Sequence, residues 1–129
     1  MINKVILLGY LGADPEIRVT QQGKNIATLS LATREVWKDK TTHERHEKTE
    51  WHRVVIFNEA LANVAQSYLR KGSKLYLEGS LQTRKWTDNQ GQDRWTTEVV
   101  LQGLSGTLKL LDAPQMSENT RPLDDDIPF

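Results

Sequence analysis

The chain has 129 residues, 26% charged and 37% hydrophobic, enough for one ordinary domain around a single core. It has no cysteine, which excludes disulfides, thiolate metal sites and cysteine nucleophiles. The formal net charge is zero, yet residues 1–111 carry +4 and residues 112–129 carry −4, a mildly basic body followed by an acidic end.

The N-terminus, Met1 to Leu8, is a short apolar run without a basic leader, a small-residue cleavage site or the length of a membrane span. It predicts a cytoplasmic protein whose first strand starts at once. Val5 to Leu11 reads as a buried strand, stopped by Gly12 and Asp14-Pro15; Gly9 to Gly12 reads as its turn. Gln21 to Asn25 is a second turn, and Ile26 to Trp37 a second strand. Lys38 to Thr49 is charged without a period and reads as a loop. Thr49 to Phe57 is a third strand.

The period then changes. Leu61, Val64, Ala65, Tyr68 and Leu69 mark one face of a helix, with Asn58 as N-cap and Gly72 as stop. Lys74 to Trp86 alternates as a fourth strand, Asp88 to Gly91 is a hairpin turn, and Arg94 to Leu104 is a fifth strand that can extend to Leu111. The order β-β-β-α-β-β is that of a five-stranded OB-fold barrel, all-β with one helix, over residues 1–111. Other small barrels share the pattern. Residues 112–129 have no apolar period and read as a short linker with a disordered acidic tail ending Asp124-Asp-Asp-Ile-Pro-Phe129.

Strand phase sorts the side chains. Val54 and Ile56, and Leu75, Leu77 and Leu81, supply the inward faces. Trp51, Arg53, Val55 and Phe57, and Arg84 and Trp86, then point outward. Aromatics alternating with arginines on an open face suit single-stranded nucleic acid, because rings stack on bases and cations meet phosphates. The competing reading packs these rings under loops or into a subunit contact. Trp95, in phase with Val99 and Leu101, is expected in the core or at its rim. Trp37, beside Lys38 and Lys40, fits either role. His43 and His46 fall in the loop, and His52 faces inward or toward a subunit contact. The three histidines form no closed metal pattern. There is no phosphate-cradling loop, zinc motif or nucleophile context, so the chain does not read as an enzyme and implies no cofactor.

Several blocks resemble the bacterial single-stranded DNA-binding proteins: Asn3 to Gly12 with Asp14 to Arg18, Thr49 to Phe57, Tyr68 to Ser73, Glu78-Gly79 with Thr83 to Asp88, and Gly91 to Glu98. The ending Asp124 to Phe129 resembles that family's tail. The resemblance implies base stacking by Trp37, Trp51, Phe57 and Trp86. It implies phosphate contacts from Arg18, Arg53, Arg70, Lys71, Arg84 and Lys85. It places His52 and Tyr76 at subunit contacts of a homotetramer. It implies that Asp124, Asp125, Asp126, Ile127, Pro128 and Phe129 dock replication, recombination and repair proteins. Two departures stand out. The family's long Gly/Pro/Gln-rich linker shrinks to about a dozen residues, and Tyr10 and Trp95 replace a small polar residue and a tyrosine.

Overall fold

The computed structural model describes residues 1–111. The acidic ending, with the six residues expected to dock partners, lies outside the described residues.

The order of elements is β1 (Val5–Leu11), β2 (Glu16–Val19), β3 (Asn25–Lys38), β4 (Arg45–Ile56), α1 (Glu59–Tyr68), β5 (Lys74–Thr87), β6 (Asp93–Leu101), a 3-10 turn over Gly103–Ser105, and β7 (Thr107–Leu110). Five strands close a ring: β1 pairs β3, β3 pairs β4, β4 pairs β6, β6 pairs β5, and β5 returns to β1. All these pairings are antiparallel except β4 with β6, which run parallel over Val54–Val99, Val55–Val100 and Ile56–Leu101. Closure removes the sheet edges within the ring. The short strands β2 and β7 add onto β3 and β5. Strand β2 was not expected, being only four residues long and too short to show a period; β7 falls within the possible extension of the fifth strand to Leu111, but the 3-10 turn over Gly103–Ser105 makes it a separate strand.

Strand β1 changes partner within its own length. Tyr10 is in register with Lys74 of β5 and with Ala32 of β3. A Cβ on Gly9 would stand 2.1 Å from the Ala32 carbonyl oxygen, so only glycine admits this approach. Gly9 is therefore a strand residue at the seam of the barrel rather than part of a terminal turn.

The barrel core holds Leu29, Leu31, Val54, Ile56, Leu75, Leu77 and Leu101, all 2% exposed or less. Burying each such side chain contributes about 1.5–3 kcal/mol. Helix α1 plugs one end. The Asn58 side chain accepts a hydrogen bond from the Leu61 N–H at 3.0 Å, as the cap reading required. The buried seam is Ala62, Ala65 and Leu69, whereas Tyr68 is 66% exposed. The stripe is thus centred one position away from the expected one, where small alanines let the helix sit close.

The segment expected to be a loop, Lys38 to Thr49, is mostly strand. Arg34–Lys38 and Arg45–Thr49 pair in unbroken register, from Arg34–Thr49 to Lys38–Arg45. Asp39 makes the turn by accepting from the Thr41 and Thr42 amides at 2.7 and 3.1 Å. These amides hold its carboxyl below its ordinary value. The charges that hid the strand pair with one another, as in Arg34–Glu47 at 3.8 Å and Lys48–Glu50 at 3.2 Å. No helix among the described residues is long and apolar enough to cross a membrane.

Candidate nucleic-acid interface

Strands β4, β6 and β5 lie side by side and present one outer face. On β4 this face carries Trp51 and Arg53; on β5 it carries Arg84 and Trp86. Trp51 is 60% and Trp86 41% exposed. Neither ring is loose. Trp51 lies against Gly12, and Trp86 Nε1 donates to Thr96 Oγ1 of β6 at 2.8 Å. Trp51 and Arg53 also border an open groove of about 570 Å³ with Asp14, Glu16 and Ser30. Phe57, 46% exposed, follows directly on β4 and is tied by its N–H to the Leu101 carbonyl at 2.8 Å.

Between the two arginines sits a residue that the sequence reading passed over. Glu98 of β6 is 5% exposed. It accepts from Arg53 Nε at 2.5 Å and from Arg84 Nε at 3.1 Å. Burial pushes its carboxyl up, but the hydrogen bonds and charges of Arg84 and Arg53 outweigh burial and hold it below the ordinary value. The signal was available: Glu98 has the outward parity of β6, opposite Gln82 and two residues from Thr96.

Val55 shares this outward parity yet is only 6% exposed. It is in register with Val100, itself 3% exposed, and the two β-branched side chains shield each other.

The remaining expected contacts are dispersed. Lys85 is on the opposite face of the β5–β6 ribbon, paired with Asp93 at 3.3 Å and 5.8 Å above the Trp95 ring. Trp95, expected in the core or at its rim, is 63% exposed, and Leu81, expected inward, is 49% exposed. Both have the right phase, but β5 and β6 run past the barrel, so the inner face continues into solvent. Trp37 behaves alike. It is in phase with Leu29 and Leu31, 49% exposed, and stacked on His46 across the ribbon at 5.6 Å between ring centres. His46 is thus a strand residue. Trp37 and Trp51 occupy opposite faces of the β3–β4 ribbon.

Arg18 is on β2, in register with Ile26. Arg70 Nη1 donates to the Leu69 and Gln66 carbonyls at 2.7 and 3.1 Å, closing the end of α1. The Lys71 N–H donates to Asp14 at 2.8 Å. His52 meets Thr33 Oγ1 at 2.8 Å through Nε2. The Tyr76 hydroxyl donates to Glu78, which also pairs with Lys4 at 3.2 Å. That bond raises the Tyr76 hydroxyl's pKa and lowers the Glu78 carboxyl's. Among the described residues no cluster of histidines and carboxylates could hold a metal ion.

A closed five-stranded barrel, plugged by one helix and faced with aromatics and arginines, defines an OB-fold of the oligonucleotide-binding kind. The model of the single-strand binding protein family matches residues 2–109, and the chain belongs to that family, one of DNA-binding proteins rather than enzymes. It is 61% identical over 120 residues to the single-stranded DNA-binding protein of Rickettsia prowazekii (strain Madrid E), covering 93% of this chain and 79% of that one. It is 61% identical over 111 residues to that of Rhizobium meliloti (strain 1021), covering 86% of this chain and 64% of the relative. Among solved structures, a Plasmodium falciparum SSB complex with ssDNA aligns with a TM-score of 0.78 at 41% identity, over 87% of this chain and 96% of that one. A deletion mutant of the Thermus aquaticus single-stranded DNA binding protein aligns with a TM-score of 0.70 at 27% identity, over 88% and 52%.

Proposed function

We propose that this chain binds and protects single-stranded DNA, tolerant of sequence, during replication, recombination and repair in the bacterial cytoplasm, associated with the nucleoid. The observation that carries the reading is the outer face of β4, β6 and β5, where Trp51 and Trp86 flank Arg53 and Arg84. Unpaired bases stack on the rings, and the guanidiniums meet phosphates. In a duplex the base faces are hidden, so this face discriminates strands by stacking. Phe57 extends the same row, while Trp37 and Lys85 serve from the other faces of the two ribbons. Arg18, Arg70 and Lys71 add positive charge along the path.

The active assembly is a homotetramer. The outer face of β1 supports this: Ile6, Leu8 and Tyr10 are 56%, 36% and 48% exposed in a row beside Tyr76. An apolar row of this kind on a sheet suits a second copy of the same chain. His52, on the other face of the β3–β4 pair beside Thr33, is assigned to a separate subunit contact. Asp124, Asp125 and Asp126 with Ile127, Pro128 and Phe129 form a docking peptide for partner proteins, an apolar tip behind an acidic run.

Titration with oligo-dT tests the central claim. Tryptophan fluorescence should be quenched, and affinity should fall with salt at a log–log slope of about −0.7 per phosphate neutralised. Equal affinity for duplex of the same length at moderate salt would refute it.

A further inference from the structure

Among the described residues Glu98 is the single charged side chain in the buried set. Its position follows from register. Arg53 and Glu98 each immediately precede the parallel pair Val54–Val99. Gln82 is directly opposite Glu98 on β5, with Arg84 two residues further along the same face. The central strand thus places one carboxylate between two guanidiniums. Removing a carboxylate from water is costly unless it is paired and hydrogen-bonded. Glu98 is both. Oε2 takes Arg53 Nε at 2.5 Å and Arg84 Nη2 at 3.3 Å, and Oε1 takes Arg84 Nε at 3.1 Å.

A guanidinium has five N–H groups. Glu98 engages Arg53 through its Nε and Arg84 through its Nε and one Nη, while the two side chains stay 42% and 51% exposed. The inner edges are therefore held and the outer edges face water. Trp51 and Trp86 stand two residues away along β4 and β5.

We propose that Glu98 is a positioning residue for strand binding, which clamps the inner edges of Arg53 and Arg84 so that their outer edges meet phosphates between the Trp51 and Trp86 rings. It also cancels one of the two positive charges, so this patch acts as a single net cation. Affinity then leans on stacking and geometry more than on charge. The inference rests on the reading of this face as the strand-binding face.

The test measures oligo-dT affinity against salt for four full-length proteins: wild type, Glu98→Gln, Glu98→Asp, and Arg53→Gln/Arg84→Gln/Glu98→Gln. Glutamine is isosteric and neutral. Glu98→Gln should steepen the log–log slope by about 0.7, one further phosphate neutralised. The slope reads the charge that Glu98 cancels, and the aspartate variant reads its positioning of the arginines. Glu98→Asp keeps the charge but is one methylene too short to span both arginines. It should keep the wild-type slope and bind several-fold more weakly. Should Glu98→Gln fail to fold, the aspartate comparison decides. A wild-type slope in Glu98→Gln, or wild-type affinity in Glu98→Asp, overturns the inference. If Glu98→Gln binds better than the triple variant but keeps the wild-type slope, the face stands and the role of Glu98 falls. If those two bind alike, the arginines do not meet DNA, and the reading of the face fails with it.

Discussion

Gly12 lies against the six-membered ring of Trp51, and a Cβ at residue 12 would stand 2.4 Å from Cζ3 and 2.7 Å from Cη2. No real Cβ is tolerated so close to a ring, so any side chain there moves the ring. Gly12→Ala should therefore weaken binding to oligo-dT by about 1 kcal/mol, at the low end of a stacking contact. Its melting temperature should hardly change, since Trp51 is 60% exposed and contributes little to the core. Unaltered affinity would mean that the ring's seat on Gly12 is irrelevant to binding.

Trp51→Ala and Trp86→Ala should each cost about 1–3 kcal/mol in affinity for single strands. Both should fold normally, which circular dichroism reports. Because the two rings flank the same arginines, they should act on one bound segment. A variant that binds as tightly as wild type would remove that ring from the stacking row.

Stability should decline on acidification through Glu98. Its carboxyl lies below its ordinary value, because Arg84 and Arg53 outweigh burial. A depressed native pKa gives stabilisation present above the unfolded value, about 4.3 for glutamate, and lost as pH falls through the native one. Thermal melts between pH 7 and pH 3 should show a flatter acid limb for Glu98→Gln than for wild type. Glu78, Asp88 and Asp39 are also held low, so the limb should shrink without vanishing. Superimposable limbs would remove Glu98 from the acid response.

Leu8→Asp should dissociate the proposed homotetramer. Leu8 is on the outer face of β1 between Ile6 and Tyr10, so a charge there opposes burial against a second copy while leaving Leu7 and Leu11 in place. Light scattering on a sizing column should read a tetramer for wild type and a smaller species for the variant. A monomeric wild type at micromolar concentration would contradict the proposed assembly.

Deleting residues 124–129 should leave single-strand binding intact, or slightly tighter at low salt, because a tethered polyanion no longer competes for the cationic face. It should also abolish capture of replication and repair enzymes from a bacterial lysate. Identical partners for the intact and truncated chains would reduce the tail to a charge.

Strand phase was legible in the sequence; the length of the barrel was not. Alternation correctly put Trp51, Arg53, Arg84 and Trp86 on one face. It also gave Leu81 and Trp95 the right parity, but parity does not say where a strand leaves its neighbours. Five core strands and one helix were readable because each has a long period. Strand β2 was too short, the break that separates β7 from β6 left no mark on the apolar pattern, and Arg45 to Thr49 was hidden because its stabilising pairs are ionic rather than apolar. Glu98 was missed for a related reason. An acid among arginines reads as ordinary surface charge until the register places it between them.

The ribbons that carry β3–β4 and β5–β6 beyond the barrel have a mechanical consequence. Each is two strands wide with no core beneath it, and such hairpins are marginal on their own. Opening them locally costs far less than opening the barrel. Trp37 and Trp86 therefore ride on compliant levers, while Trp51 sits on the rigid hub. If these rings stack on bases as proposed, a polymer without a shape of its own would be met by movement at the rim rather than at the centre.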